Sequence, residues 1–328
     1  MYSTYTAVLC AVLPCSHEKI TIFRTTHKYK RGIITLIMIS KRQAELLPIF
    51  SLLLVATMWG VFWYPLRLLN EAGLGGVLTT LVAYSAALLV GLPWLWRNRH
   101  EYGQHFGYLL GIGLASGWCN MAFLLATLEG TIVRVLLLFY LSPLWAVLLG
   151  HFILGERMTN YARMVMLVAM GGALMMLWVP ELGFPWPQST ADWLAISAGF
   201  AFALANVLVR MKQEISIANK AISAWWGAIL IGLLWLLFDD IAMPQVGYQI
   251  YVAAVVLGLL GFAVATLAVQ YGVTHMPVHR SAVILLFELV IGTAAAQLLT
   301  DEVVRPIEWF GGSLILMAAW LTARSQAK

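Results

Sequence analysis

Long stretches of apolar residues, separated by short polar connections, recur at even spacing between residues 47 and 323. Most are close to the roughly 20 residues that a helix needs to cross the hydrocarbon core of a bilayer. The pattern therefore predicts an all-α integral membrane protein with ten transmembrane helices. The predicted spans are Leu47–Leu66, Leu74–Trp96, Phe106–Leu128, Thr131–Leu154, Met164–Val179, Trp193–Val209, Ala221–Phe238, Ile250–Val273, Ser281–Thr300 and Glu308–Ala323.

Two of the ten spans are weaker than the others. Met164–Val179 and Glu308–Ala323 hold only 16 residues each, which is short for a full crossing. We expect them to tilt little or to extend into their charged flanks. The connections are also short, so the pattern leaves no room for a domain outside the membrane.

The composition agrees with this pattern and excludes several other classes of protein. Of the 328 residues, 61% are apolar and 11% are charged, against about 25% charged in a typical soluble domain. A soluble enzyme and a disordered chain are therefore excluded. Cys10, Cys15 and Cys119 are too few and too scattered for a disulfide framework or a zinc site. We expect no metal, no cofactor and no nucleic-acid partner, but a lipid bilayer and a small-molecule substrate.

The basic residues indicate an orientation. With the N-terminus inside and ten crossings, 17 of the 20 Lys and Arg residues fall on the cytoplasmic side, and only Arg67, Arg134 and Arg305 lie outside. Without the first 37 residues the ratio is still 12 to 3. The outer connections that hold Glu181 and Asp239 carry no basic residue. The positive-inside rule then predicts that both termini are cytoplasmic, in a bacterial inner membrane.

Residues 1–45 form a separate, cytoplasmic N-terminal tail. Met1–Cys15 lacks the charged start and the cleavage site of a signal peptide. The following segment is basic and aperiodic, and Met38 begins an ordinary short lead into the first span. One hypothesis is that Met38 is the native start; the other is that the tail is native and lies in the cytoplasm.

The chain contains an internal repeat with an offset of 146 residues. Pro143 in span four precedes Glu156 by 13 residues, and Leu289 in span nine precedes Glu302 by the same number. The offset also places Arg134 on Arg280. Five spans per copy is an odd number, so the second copy enters the membrane from the opposite side, as in the inverted repeats of secondary transporters. The predicted domains are residues 46–180 and 190–324, with a central site between them.

These motifs carry a family resemblance over residues 47–324. The sequence resembles the EamA-type ten-helix branch of the drug/metabolite transporter superfamily, which implies two EamA-type domains and transport of small metabolites, often export of amino acids or related compounds. Two positions depart from the family pattern: Leu289 replaces a common proline and Asp301 a common glycine. The residues that carry the resemblance are Trp59-Gly60, Pro143 with Leu154-Gly155-Glu156, Ala205–Arg210, Phe287-Glu288, Asp301-Glu302 and Gly311-Gly312.

Glu288 is the first candidate for a functional residue, because it is an acidic residue well inside a predicted span. A charge at the bilayer centre costs about 2.5–3.5 kcal/mol on insertion scales, so such residues face a cavity or a partner. Glu288 is predicted to couple transport to protons or to bind a substrate amine. The alternative is a structural carboxylate that hydrogen-bonds neighbouring helices.

Five further residues are candidates for substrate binding. The amides of Asn120 and Asn206 lie within spans and either orient substrate or form interhelical hydrogen bonds. The resemblance implies that Trp59 and Tyr140 lie at cavity depth, where aromatic faces stack on rings or cations or simply pack. Arg134 opens span four on the outer side and either attracts a substrate carboxylate or snorkels to the interface.

The sequence favours a secondary transporter that exports an amino acid or related compound by alternating access, with its two halves rocking about the site. A passive channel or a lipid flippase of the same fold remains an alternative. An intramembrane enzyme is disfavoured, because no zinc-binding helix, serine–histidine pair or paired aspartates lie within the spans. The sequence leaves the substrate, the coupling ion and the choice between monomer and homodimer open.

Overall fold

A computed structural model describes residues 22–179, 186–238, 244–300 and 304–326, with side chains from Leu46 to Arg324. The chain divides into two compact units, Met1–Glu45 and Leu46–Lys328. Met1–Cys15, Glu181, Asp239, Asp301 and Glu302 lie outside the described residues, and the hypothesis about Met38 stays a prediction.

The described part of the chain is helical throughout. The helices are α1 Ile22–Glu71, α2 Gly76–Arg97, α3 Arg99–Glu129, α4 Ile132–Phe139, α5 Ser142–Leu154, α6 Asn160–Leu177, α7 Thr190–Met211, α8 Ile217–Phe238, α9 Tyr248–Val256, α10 Val264–His275, α11 Val278–Leu285, α12 Phe287–Leu299 and α13 Pro306–Gln326, and a π-helical segment, Leu257–Ala263, joins α9 to α10.

These helices confirm the predicted membrane fold. Among the described residues, nine helical segments are long and apolar enough to cross a membrane. The tenth predicted span is the 21-residue helix α13, which is less apolar because it carries Glu308 and Arg324. The two short spans do extend into polar and charged flanks: Met164–Val179 corresponds to a helix that begins at Asn160 and includes Arg163, and Glu308–Ala323 lies in one that continues through Arg324 to Gln326.

The fourth helix of each predicted half is broken in the middle. The first break lies at Tyr140 and Leu141, between α4 and α5, and the second lies at Leu286, between α11 and α12. The positions of Tyr140 and Leu286 differ by 146, the repeat offset. At both breaks one amide donates to the carbonyl three residues earlier, Leu141 to Leu138 and Leu289 to Leu286.

A proline accompanies only the first of the two breaks. Pro143 lies in the first turn of α5, where its missing N–H is not needed. Leu289, at the matching position, keeps its N–H and still follows a break. Packing around the second break, rather than a proline, therefore holds the chain in this shape.

The helices of the two halves pack mainly on one another. Helix α3 lies along α7 and α8, α6 lies along α13, and α2 lies along α8. Glycines allow the closest crossing, since a Cβ on Gly227 would overlap the Gly113 carbonyl oxygen. The two halves therefore share extensive packing interfaces.

Candidate functional site

The two helix breaks bring Tyr140 and Glu288 together. Tyr140 is the C-cap of α4, and Glu288 lies in the first turn of α12. Tyr140 packs in the same buried cluster as Leu286 and Leu289, which flank the Glu288 turn, and its hydroxyl lies near the Glu288 carboxyl. The breaks therefore place a phenol and an acidic side chain side by side, and no Lys or Arg among the described residues forms an ion pair with Glu288.

Glu288 differs in depth from the other acidic residues of the described apolar segments. It lies at the middle of the 22-residue segment Val278–Leu299. The others lie within the first or last turn of their segments: Glu71, Glu101, Glu129 and Asp192.

Helix α1 approaches the start of α12 at Gly60. A Cβ on Gly60 would come within 2.8 Å of both the Glu288 carbonyl oxygen and the Ile291 side chain. Only a residue without a side chain permits this contact. The close approach brings the backbone of α1 against the Glu288 turn at the residue that follows Trp59.

Five aromatic side chains from four helices and the α4–α5 break connect Trp59 with Tyr140. The Trp59 ring contacts Phe202 with the centroids 5.8 Å apart, and Phe202 contacts Phe139 at 5.8 Å. Phe139 in turn contacts Phe123 at 4.8 Å and Tyr140 at 5.4 Å. We call these five residues the aromatic chain. It ends at the hydroxyl that lies next to Glu288.

A polar pair lies on the other side of Cys119. The Tyr84 hydroxyl donates to Asn120 Oδ1 at 2.9 Å, and Asn120 Nδ2 donates to the Ser116 carbonyl oxygen at 2.8 Å. The Cys119 thiol lies within electrostatic range of both the Tyr84 hydroxyl and the Glu288 carboxyl. Asn120 therefore belongs to the surroundings of Glu288, but its amide is already engaged with Tyr84 and the helix backbone.

The π-helical segment adds a further ring to this region. Its Phe262 stacks on Tyr84 with centroids 5.1 Å apart and meets Phe62 edge-on at 5.3 Å. A π-helical turn inside an apolar span often marks a functional region, because it displaces side chains from the regular helix positions. Here the displacement puts Phe262 against the Tyr84 ring.

Asn206 lies one turn beyond Phe202 on α7 and is partly accessible. Its side chain makes no hydrogen bond to a described residue. Trp59, Asn120 and Glu288 are partly accessible as well. Partly exposed side chains at these four positions are typical of residues that line a space between helices. Side chains of a packed core would be buried.

Arg134 lies apart from these residues and has structural partners. Its Nε donates to Asp192 at 2.8 Å, and its guanidinium also donates to the Trp186 carbonyl oxygen. Asp192 is 2% exposed and forms the capping box of α7 with Ser189. This geometry favours a structural role for Arg134 over the capture of a substrate carboxylate.

The opposite end of α5 and α7 carries a second ionic group, the Glu156 cluster, made of Glu156, Arg210, Thr274, Val278 and His279. Glu156 follows Gly155, whose φ of 67° ends α5 in the left-handed conformation that glycine adopts readily. The Glu156 carboxylate accepts from Arg210 Nε at 3.4 Å and from the Val278 N–H at 3.0 Å. It thereby joins the first half of the chain to α7 and α11.

Burial opposes ionisation of Glu156, but its hydrogen bonds and neighbouring charges outweigh this effect. The hydrogen bond with His279, the Val278 N–H and the Arg210 charge lower the pKa of Glu156 below its ordinary value. Arg210 also donates to the Thr274 carbonyl oxygen at 2.6 Å, and the buried Lys220 donates to Thr274 Oγ1 at 3.0 Å.

The structure thus brings together Glu288, Tyr140, Trp59 and Asn120. It places Asn206 next to the aromatic chain, and Arg134 lies apart from this group of residues. The residues that sequence reasoning missed are Tyr84, Cys119, Phe123, Phe139, Phe202 and Phe262. Their only signal was aromatic or small character within a span, which packing explains equally well. No group of three or more metal-binding side chains occurs in the described part of the chain.

Comparison with known proteins gives consistent matches. The model of the EamA-like transporter family matches residues 46–178 and again 189–324. An uncharacterised transporter of Pseudomonas aeruginosa is 28% identical over 189 residues, which cover 55% of this chain and 59% of that protein. The match therefore spans less than two thirds of that relative.

Two further matches cover more of the chain. A protein of Escherichia coli named a probable amino-acid metabolite efflux pump is 24% identical over 292 residues, covering 82% of this chain and 92% of that protein. A crystal structure matches with a TM-score of 0.67 and 20% identity, covering 85% of this chain and 95% of that chain. At this identity the structural match supports the fold alone.

Proposed function

The chain belongs to the EamA-like transporter family, and from that premise we propose that it exports a small metabolite across a bacterial inner membrane by alternating access. The family consists of transporters rather than enzymes, and the chain is a multi-pass integral membrane protein. An amino acid or related compound is the proposed substrate, with support from the name of the Escherichia coli relative. The excess of Lys and Arg supports cytoplasmic termini.

The observation that carries the proposal is the contact of Tyr140 and Glu288 where two broken helices meet. In secondary transporters, substrate sites lie near the bilayer midplane at the interface of inverted repeats and are built by discontinuous helices. The matching breaks at Tyr140 and Leu286 supply this arrangement. Inverted topology of the two copies follows if each of the five spans per copy crosses the bilayer.

Glu288 is proposed to exchange a proton for substrate. A carboxylate at this depth holds either a proton or a cationic group, because the two compete for the same oxygens. The Tyr140 hydroxyl lies near this carboxyl and is proposed to donate a hydrogen bond to its ionised form, which would favour the state that is ready for substrate. Proton entry would then drive export of the substrate.

The conformational change is proposed to occur in the broken helices. The helices of the two halves pack closely on one another, which supports movement of the short broken helices over separation of the halves as rigid bodies. Helices α4 and α11 are short, and each ends at a break. Moving one of them therefore displaces fewer residues than moving a full-length span. The Glu156 cluster holds the far ends of α5, α7 and α11 together, and its opening would give access to the cytoplasmic side.

Transport by purified protein in liposomes tests this proposal. A metabolite comparison of cells with and without the gene selects the compound, and its flux is then measured with and without a pH gradient. We expect saturable, pH-driven flux that Glu288→Gln abolishes and that Glu71→Gln leaves unchanged, since Glu71 is an exposed partner of Arg67. Flux that rises linearly with concentration would indicate a channel, and undiminished pH-driven flux in Glu288→Gln would refute the proposed coupling.

A further inference from the structure

We infer that the site beside Glu288 selects organic amines or ammonium compounds with an apolar body and discriminates against compounds that carry a carboxylate. This inference rests on the proposed transport function and narrows its substrate class, amino acids and related compounds, to the related compounds that lack a carboxylate. It depends on three features of the described residues: the charges within reach of the site, the aromatic chain, and the polar groups that remain for a second substituent.

The site holds the acidic side chain of Glu288, and no basic side chain among the described residues is paired with it. The basic residues of the described apolar segments all lie within about five residues of a segment end, near the membrane surfaces. Those residues are Arg67, Arg97, Arg99, Arg134, Arg163, Arg210, Lys220 and Arg280.

The buried basic residues nearest to the bundle interior already have partners. Arg134 is held by Asp192, Arg210 by Glu156, and Lys220 by the Val209 carbonyl oxygen and Thr274 Oγ1. A positive charge next to Glu288 therefore has to come from a proton or from the ligand. An ammonium group meets this requirement, since it supplies both the charge and the hydrogen-bond donors that a carboxylate accepts.

The aromatic chain supplies the surface for the remainder of the ligand. Trp59, Phe139 and Phe202 are partly accessible and lie in continuous ring contact with Tyr140. Aromatic faces bind apolar groups and also attract cations through their quadrupole. An amine placed on Glu288 would therefore extend its apolar body along the aromatic chain toward Trp59.

A carboxylate on the same ligand finds no comparable partner. Asn120 is engaged by Tyr84 and the Ser116 carbonyl oxygen, so the remaining donors near the site are neutral: the Asn206 amide and the indole N–H of Trp145, which is buried without a described partner and packs against the cluster of Tyr140. A desolvated anion held by neutral donors alone is unfavourable relative to water. An amino acid would pair its ammonium group at Glu288 but leave its carboxylate without a cation, and its decarboxylated analogue would avoid that cost.

Two matched ligand series test the inference by isothermal titration calorimetry of the full-length protein in detergent at neutral pH. The first series is tryptamine, tryptophan and indole-3-propionate; the second is isopentylamine, leucine and 4-methylpentanoate. We expect at least one of the amines to bind about tenfold or more tightly than its amino acid, and both acids to give no heat. The comparison uses the unmodified protein, so it does not depend on a variant that folds.

A matched pair of variants then assigns the preference to the site. Glu288→Gln should remove amine binding, whereas Glu71→Gln, on the exposed end of α1, should retain it. Equal or tighter binding of the amino acid, binding of an acid alone, or the absence of binding by both amines would overturn the inference. Saturable export of an acidic compound would overturn it and leave the proposed transport function intact; the absence of saturable transport of any compound would instead refute the proposed function.

Discussion

Tyr140 and Glu288 come from different halves of the chain, and the hydroxyl of the first lies near the carboxyl of the second. Each residue belongs to a helix break: Tyr140 is the C-cap of α4, within one break, and Glu288 is the second residue of α12, after the other. Any movement of one broken helix against the other must change this contact. The pair therefore links the charge state of the site to the position of both helices.

Tyr140→Phe removes the hydroxyl and keeps the ring. A hydrogen bond to a charged group contributes about 1.5–3 kcal/mol, so we expect amine binding to weaken by about tenfold or more while the protein remains folded. Tyr64→Phe is the control, because the Tyr64 ring contacts Trp63 and lies outside the aromatic chain. Amine affinity that is equal in the two variants would show that the Tyr140 hydroxyl does not act on Glu288.

Gly60→Ala tests the close approach of α1 to the Glu288 turn. The added methyl group would lie 2.8 Å from the Glu288 carbonyl oxygen and from Ile291, and a backbone atom cannot move aside as a flexible side chain can. We expect a lower melting temperature and loss of transport. Gly107→Ala is the matched control, because nothing lies within 4 Å of its added Cβ and alanine favours a helix. Similar melting temperatures of the two variants would contradict the close contact between α1 and α12.

The apolar pattern predicted the helices because bilayer thickness sets their length, whatever their tertiary contacts. It did not predict the pairing of Tyr140 with Glu288. The repeat offset places Glu288 on Ser142, so the two partners are not equivalent positions and only the packing of the broken helices brings them together. The break at Leu286 was equally hidden, since no proline marks it.

The sequence also could not assign Phe139 and Phe202 to the site. Within an apolar span, an aromatic residue that packs and one that lines a site have the same sequence signature. Arg134 shows the opposite case, because its position at a helix start predicted an accessible side chain, whereas the structure pairs it with the nearly buried Asp192.

Arg134→Gln should therefore affect stability rather than substrate affinity. Asp192 would lose its ion pair while it is 2% exposed, and a buried charge without its partner is costly. We expect a decrease in the free energy of unfolding of about 3 kcal/mol or less, since the capping bonds from Gln188 and Ser189 remain. Flux measurements on folded protein should give an unchanged KM; a raised KM with unchanged stability would restore the predicted role in substrate capture.

Glu156→Gln tests the Glu156 cluster through the pH dependence of stability. The pKa of Glu156 is lowered in the folded protein, so its ionised form stabilises the fold above its ordinary value near 4.5, and this contribution is lost as pH falls through the lowered pKa. At pH 7 we expect Glu156→Gln to melt below the unmodified protein, with the difference shrinking in acid. Glu71→Gln is the control, because the Glu71 side chain is 56% exposed and pairs with the exposed Arg67 of the same helix. A melting difference that does not change between pH 7 and pH 4 would contradict the ionic role of Glu156.

Cys119 offers a direct report on occupancy of the site. Cys119 is a half-buried residue near Glu288, so a ligand bound at that carboxylate should hinder labelling of its thiol. In a Cys10→Ser, Cys15→Ser background, we expect N-ethylmaleimide to label Cys119 more slowly in the presence of the tighter-binding amine than in its absence. The same amine should not protect Cys119 once Glu288 is replaced by Gln. Protection that persists in Glu288→Gln, or labelling that the amine leaves unchanged in the Glu288 protein, would place the amine elsewhere, because the hindrance requires the ligand to sit between Glu288 and Cys119.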